Sequence, residues 1–217
     1  MTSDAEKLTY FTPRFFGFEL SASYTPDNCE ERSQSTGAAS CGGTYSGFQS
    51  EEDAGQQSEV IEISANYVQK FNDFSVAASG SYGEADREGP DTATSDDREE
   101  WSVGGELGYA GFAFGVAYGQ DNNGVDDDGD RDDFAVSLKY TTGPWGVSVM
   151  YATSELETGP NSDEDEYEGF ELAGSYNLGP GITMIAGVQW ADIEDAANVE
   201  AQENEAVIGY VGTKLSF

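Results

Sequence analysis

The sequence predicts an all-β fold, an antiparallel transmembrane β-barrel, on three observations. Eleven segments alternate apolar with polar or small residues at the two-residue period of a strand. The connections alternate between short Gly/Pro/Asn turns and long acidic loops, as they must if every strand crosses one layer and all short turns lie on one side. The apolar faces begin and end on aromatics: Phe74 and Tyr82, Trp101 and Tyr109, Phe112 and Tyr118, Phe134 and Tyr140, Trp145 and Tyr151. Eight strand residues at ~3.3 Å, tilted by about 40°, come close to the ~25 Å apolar band of an outer-membrane barrel, which puts these pairs at its two interfaces. A soluble β-sandwich with one buried face also alternates. It gives no reason for loops sorted by length and charge, or for aromatics at both strand ends.

In chain order, the first hairpin is Lys7 to Phe15, a turn at Phe16-Gly17, and Phe18 to Pro26. In its first strand Thr9, Phe11 and Pro13 are expected outward and Tyr10, Thr12 and Arg14 inward. Phe18, Leu20, Ala22 and Tyr24 form the apolar face of the second. Glu59 to Phe71 presents Ile61, Ile63, Ala65, Tyr67 and Phe71 on one face and Glu62, Ser64, Asn66 and Lys70 on the other. Asn72-Asp73 turns it into Phe74 to Tyr82. Three more hairpins follow, through Ala110-Gly111, Thr142-Gly143-Pro144 and Leu178-Gly179-Pro180. The final strand carries Val207, Val211, Leu215 and Phe217 on one side and Ala206, Ile208, Tyr210, Gly212, Lys214 and Ser216 on the other.

The formal net charge is -33, and 34 of the 42 acidic residues fall in the five long loops and their flanks. Such a surface repels phosphates and attracts cations, which excludes nucleic acid as a partner. No apolar run approaches the ~18–20 residues of a transmembrane helix, a test that barrel strands do not meet either. The chain has no His, and no Gly-rich phosphate motif joins a strand to a helix, so the sequence does not suggest an enzyme.

If the aromatic faces meet lipid, the other faces line a lumen. They carry mostly small or polar residues, such as Ser75, Gly104, Gly108, Ala113, Gly115, Ser148 and Thr183. A lumen of small side chains is a water-filled channel, since a plugged barrel needs bulk to fill it. The larger lining groups are charged: Glu19, Glu62, Glu106 and Glu171 against Arg14, Lys70, Lys139 and Lys214. Each alone reads as a solvated surface residue. As a set, opposed charges across a pore make a transverse field that orients permeating dipoles and ions.

Two segments, KLTYFTPRFFGFELSASYTPD at Lys7 to Asp27 and VGTKLSF at Val211 to Phe217, resemble the general diffusion porins of Gram-negative outer membranes, and the strand and turn pattern is similar over nearly the whole chain. The resemblance implies a sixteen-stranded barrel that assembles as a homotrimer, with short periplasmic turns and a third external loop folded inward as the constriction. It also implies that the barrel assembly machinery reads the terminal Phe217. Counted back from Phe217, Lys7 to Phe15 becomes the sixth strand. The chain then reads as the C-terminal portion of a single porin barrel domain, with five strands, most of the constriction loop and a signal peptide expected upstream. An odd count cannot close antiparallel, and an open sheet leaves unpaired backbone in lipid.

Cys29 and Cys41 share one external loop. In a compartment that oxidises thiols they are expected to form a local disulfide, worth ~3 kcal/mol against loop disorder; two thiols without His make a poor zinc site. Asp126, Asp128 and Asp130 place hard oxygens around Gly129, as Ca²⁺ requires, without the closing Glu of an EF-hand. A solvated acidic loop is the favoured reading, with weak Ca²⁺ binding or bridging to lipopolysaccharide as the alternative. No other cofactor is expected. The function expected is passive diffusion of small hydrophilic solutes and ions, favouring cations at an acidic mouth. The alternative is a surface binding or adhesion protein that acts through its acidic loops and uses the barrel as an anchor.

Overall fold

The computed structural model describes residues 6–27, 57–88, 96–125, 129–158, 164–195 and 204–216. Its eleven strands are β1 (Leu8–Phe11), β2 (Phe18–Asp27), β3 (Gln57–Phe71), β4 (Phe74–Arg87), β5 (Arg98–Tyr109), β6 (Phe112–Asp121), β7 (Arg131–Thr142), β8 (Trp145–Glu157), β9 (Glu164–Gly179), β10 (Ile182–Glu194) and β11 (Asn204–Leu215). They form one antiparallel sheet in chain order, with β1 and β11 as its two edges. Since neighbours alternate in direction, these two edge strands run the same way.

The short turns follow from residues that accept a left-handed backbone. At Phe16-Gly17 and Ala110-Gly111 both positions have positive φ, which matches the twist of a two-residue hairpin. Gly111 is also crowded: a Cβ there would lie 2.6 Å from the carbonyl oxygen of Thr141. These turns are joined to the next hairpin. The carbonyls of Gly17, Gly111, Pro144 and Gly181 accept from the N–H groups of Val68, Thr141, Asn177 and Ser216, each at 2.8 Å. The turn side is therefore tied together past the ends of the strands.

Burial is inverted relative to a soluble protein. Partnered residues share a face of the sheet, and along β3 the apolar Ile61, Ile63 and Ala65 are exposed while Glu62, Ser64 and Asn66 are half-buried. The same holds for Phe112, Phe114 and Val116 against Ala113 and Gly115 in β6, and for Trp145 and Val147 against Gly146 and Ser148 in β8. The polar face is thus the more enclosed one. Among the described residues the only buried hydrophobic side chains are Val60 and Ala85. Val60 sits in a bulge, with Glu59 at positive φ and a register shift between Ser58 and Ile61, and it is partnered by the equally buried Thr25.

On the outward face the aromatics form two belts of cross-strand pairs. The turn-side belt includes Phe18–Tyr67, Phe74–Tyr109, Phe112–Tyr140 and Trp145–Tyr176, with ring centroids 4.4–4.5 Å apart. The loop-side belt includes Trp101–Tyr118 and Phe170–Trp190, at 5.3 and 5.7 Å. Tyr and Trp suit an interface because each has an apolar body and a polar tip. Here Tyr82, Tyr118 and Tyr151 donate from the loop-side belt to the carboxylates of Glu84, Asp132 and Glu168 above it.

The first strand departs from expectation. It ends at Phe11, and its register pairs Leu8 with Tyr24, Thr9 with Ser23, Tyr10 with Ala22 and Phe11 with Ser21. Tyr10 therefore faces outward and Thr9 and Phe11 face inward, opposite to the alternation expected. Thr12 N–H still bonds the Leu20 carbonyl and Phe15 bridges Phe18, so Pro13 and Arg14 together oppose the single residue Glu19. Proline cannot donate to the ladder. The extra residue it accommodates flips the face of everything before it and leaves Arg14 on the same face as Glu19 and Asn66.

Candidate functional site

The candidate site is the enclosed polar face, and register puts all eight predicted lining charges on it. Arg14, Glu19 and Asn66 meet at the β1–β2–β3 corner. One Arg14 nitrogen donates to the Gly17 carbonyl at 2.8 Å and the other to Asn66 Oδ1 at 2.6 Å, beside an ion pair to Glu19 at 3.4 Å. Asn66 Nδ2 donates to Glu19 at 3.1 Å. An ion pair this open to water adds little stability, so its effect is to hold the two side chains in place.

Toward the loop side a ladder of hydroxyls crosses four strands. Ser21, Ser64, Ser81 and Ser102 are consecutive register partners, with Oγ–Oγ distances of 2.7 Å for Ser21–Ser64 and 2.8 Å for Ser81–Ser102. One row further, Ser23 donates to Glu62 at 3.0 Å. Hydroxyls both donate and accept, so this strip can exchange partners with water or a passing solute.

Toward the turn side Lys70, Glu106 and Lys139 surround one depression of about 290 Å³, with Asp73 at its edge and Gly108 and Ala113 in its floor. Glu171 and Lys214 lie beyond it on β9 and β11. Glu171 faces Tyr210, whose ring lies over Gly187, where a Cβ would come within 2.5 Å of it. Lys214 is partnered by Thr183. The eight charges thus do not gather at one point but are spread from β1 to β11.

Beyond the loop-side belt the lining changes. Arg98 donates through two nitrogens to both oxygens of Asp121, and Asn123 N–H donates to Asp121 at 2.8 Å. Burial pushes the Asp121 carboxyl up, but the Arg98 hydrogen bonds, the Asn123 N–H and the Arg98 charge outweigh it and hold the group below its ordinary range. The Asn122 side chain accepts from the N–H groups of Glu99 and Gly124, and the Gly124 carbonyl accepts from Asp96. The described part of this loop is therefore bonded back onto the start of β5.

Of the other predicted residues, Cys29, Cys41, Asp126, Asp128 and Phe217 lie outside the described residues. Asp130 sits at the foot of β7, where its carbonyl accepts from Glu157 N–H. Among the described residues no group of three or more acidic, His or Cys side chains is arranged to hold a metal. The sequence reading also missed bulk on the enclosed face. Val68, Met150 and Tyr167 all share it, as partners of Ala77, Ser137 and Ser154. Simple alternation along each strand would have found them.

An open-faced wall with apolar aromatics outside and small polar residues within defines an outer-membrane barrel. The family model described as Gram-negative porin matches residues 1–196, and the chain belongs to that family, whose place is the bacterial outer membrane. Among solved structures it is similar to an anion-selective porin from Comamonas acidovorans (TM-score 0.62, 16% identity, covering 96% of this chain and 57% of that one). It is also similar to the outer-membrane expressed OmpT of Vibrio cholerae (TM-score 0.57, 16% identity, 96% and 64%) and to OccAB4 of Acinetobacter baumannii (TM-score 0.60, 9% identity, 95% and 52%). At these identities the likeness is one of fold. The chain spans about half to two thirds of the length of the porins it matches. Comparison with curated protein sequences returned no match.

Proposed function

We propose that the protein forms the wall of a water-filled channel for passive diffusion of small hydrophilic solutes and ions across the outer membrane. The observation that carries this reading is the inverted burial, an exposed apolar face backed by an enclosed face of Ser, Gly, Ala and charged residues. Arg14, Glu19, Glu62, Lys70, Glu106, Lys139, Glu171 and Lys214 are its charged lining. Because β1 and β11 run in the same direction, an antiparallel closed wall needs an odd number of further strands between them. Homotrimer assembly, delivery through Phe217 by the barrel assembly machinery, and contact with lipopolysaccharide belong to the same reading, as does a Cys29–Cys41 disulfide. The chemistry needs no cofactor, and catalysis is not part of the reading; weak Ca²⁺ binding at Asp126, Asp128 and Asp130 would be incidental to it.

We further propose that the channel favours cations, because the excess of acid raises the local cation concentration at the mouth. Planar-bilayer conductance of the full chain, with reversal potentials in a KCl gradient, tests both parts. Anion preference at low ionic strength refutes the selectivity. Insertion without conductance refutes the channel and favours the surface binding reading.

A further inference from the structure

On β8 to β11 the enclosed face holds a patch of bulk among its small residues. Met150, Glu171, Gln189 and Ile208 are consecutive register partners, so a carboxylate and an amide stand side by side between a thioether and an aliphatic group. Two tyrosines complete the frame. Tyr167 lies along β9 over Gly169, where a Cβ would be 2.9 Å from its Cζ, and Gln189 Nε2 donates to its hydroxyl at 3.1 Å. Tyr210 reaches from β11 across β10 over Gly187, where a Cβ would be 2.5 Å from its Cζ, and its hydroxyl donates to Glu171 on β9. Each ring lies against the wall because the residue beneath it has no side chain. Tyr210 is still 36% exposed, so part of its surface is open to the lumen. At the centre acceptors predominate: the Glu171 carboxylate only accepts, Gln189 keeps its Oε1, and Tyr210 keeps its hydroxyl lone pairs. Among the described residues Glu171 is in no ion pair. By backbone position Lys139 and Lys214 stand ~10 Å or more from it, about a Debye length at 0.1 M salt.

We propose that this patch binds protonated aliphatic amines at the channel wall, with the ammonium on Glu171 and Gln189 and the alkyl chain on Tyr167, Tyr210 and Met150. The inference deepens the channel reading and rests on it for passage of the amine. An ammonium has three donors and no acceptor, which matches a centre made of acceptors. A cation beside the face of a Tyr ring is attracted by the ring quadrupole. The apolar frame covers methylene groups, which a bare inorganic cation does not have. A neutral sugar brings donors and acceptors together and forgoes the pairing with the carboxylate.

The test uses butylammonium with the full chain, and two measurements separate the site from the channel. In saturation-transfer NMR the butyl protons are expected to take saturation from the protein in micelles and none from empty micelles. In planar bilayers in KCl, butylammonium is expected to reduce the single-channel current in a saturable way, and methylammonium to do so more weakly. Glu171→Gln, Tyr167→Leu and Tyr210→Leu are each expected to weaken both signals about two- to fivefold, the size of an exposed cation–π contact or open ion pair. Tyr210→Phe, which keeps the ring, stays closer to wild type than Tyr210→Leu. Conducting channels that butylammonium neither blocks nor contacts overturn the site and leave the channel reading standing. Block that survives both Glu171→Gln and Tyr210→Leu overturns the residues. Glucose acting with the same residue dependence overturns the amine and replaces it by a saccharide. Saturation transfer lost in Glu171→Gln, in a chain that inserts without conducting, supports the site and refutes the channel. Should Tyr210→Leu not insert, Glu171→Gln and Tyr210→Phe decide.

Discussion

Two adjacent residues of β6 provide a sharp test of which face meets lipid. Val116 is on the outward face, opposite Val136 and 42% exposed, and Ala117 is on the enclosed face between Gly104 and Ala135. Four residues separate Val116 from the belt residue Phe112, or ~13 Å of strand and ~10 Å of depth at a tilt of about 40°. That places it near the middle of a ~25 Å band, where an arginine costs ~2–4 kcal/mol. At 1.4 kcal/mol per factor of ten, Val116→Arg is expected to weaken folding roughly 30- to 700-fold. Ala117→Arg faces water and small neighbours, so its cost is expected to stay within about 0.5 kcal/mol. Thr153→Arg lies on the outward face above Tyr151 and opposite Glu168, where the lipid cost falls to ~0–1 kcal/mol. Urea titration in phosphatidylcholine bilayers measures all three, followed by the fluorescence of Trp101, Trp145 and Trp190. Equal losses at 116 and 117 would refute the assignment of faces. A loss at 153 as large as at 116 would replace lipid by a dry protein core.

Gly111→Val forces a β-branched residue to φ +87 and puts its Cβ 2.6 Å from the Thr141 carbonyl; such strain costs on the order of 1–3 kcal/mol, read from the same titration. Asp121 titrates lower in the folded protein than the unfolded value of ~3.9, so its contribution is complete above about pH 4 and is lost as pH falls through the folded value. Proteolysis of the β5–β6 region should therefore be faster in Asp121→Asn than in wild type at pH 7, and the difference should narrow as the pH is lowered below about 4; a gap that widens in acid contradicts the pairing. On the outward face Asp132, Glu155, Glu166 and Glu194 are successive partners across β7 to β10. Like charges directly opposite are destabilising. Raising salt from ~10 mM to ~1 M shortens the Debye length about tenfold and should raise the urea midpoint, and Glu155→Gln should shrink that salt response.

Much of this was legible from alternation alone, because a strand crossing a layer repeats every second residue and the aromatics mark where it enters and leaves. Trp145 to Tyr151 could be assigned to a face, and its neighbours Gly146 and Ser148 to the other, without any partner. The first strand was not legible, since Tyr10 and Phe11 are adjacent aromatics and the deciding feature is one extra residue at Pro13, which changes pairing without changing composition. The face that the eight charged residues share could be found by counting along each strand. Their grouping could not. Lys70, Glu106 and Lys139 share a depression only because four registers align them, and the Ser21–Ser64 and Ser81–Ser102 contacts join residues 43 and 21 positions apart.

The order of the sheet is the order of the chain, so each strand hydrogen-bonds only to the strands before and after it, and the short turns are bonded to the hairpin that follows. Among the described strands such a wall is assembled from repeated local instructions, and none has to find a distant mate. Duplicating or deleting one hairpin would alter the circumference while leaving every remaining register intact. The breadth of the sheet is then a quantity that evolution or design can change in whole steps, independently of which residues its outward face presents.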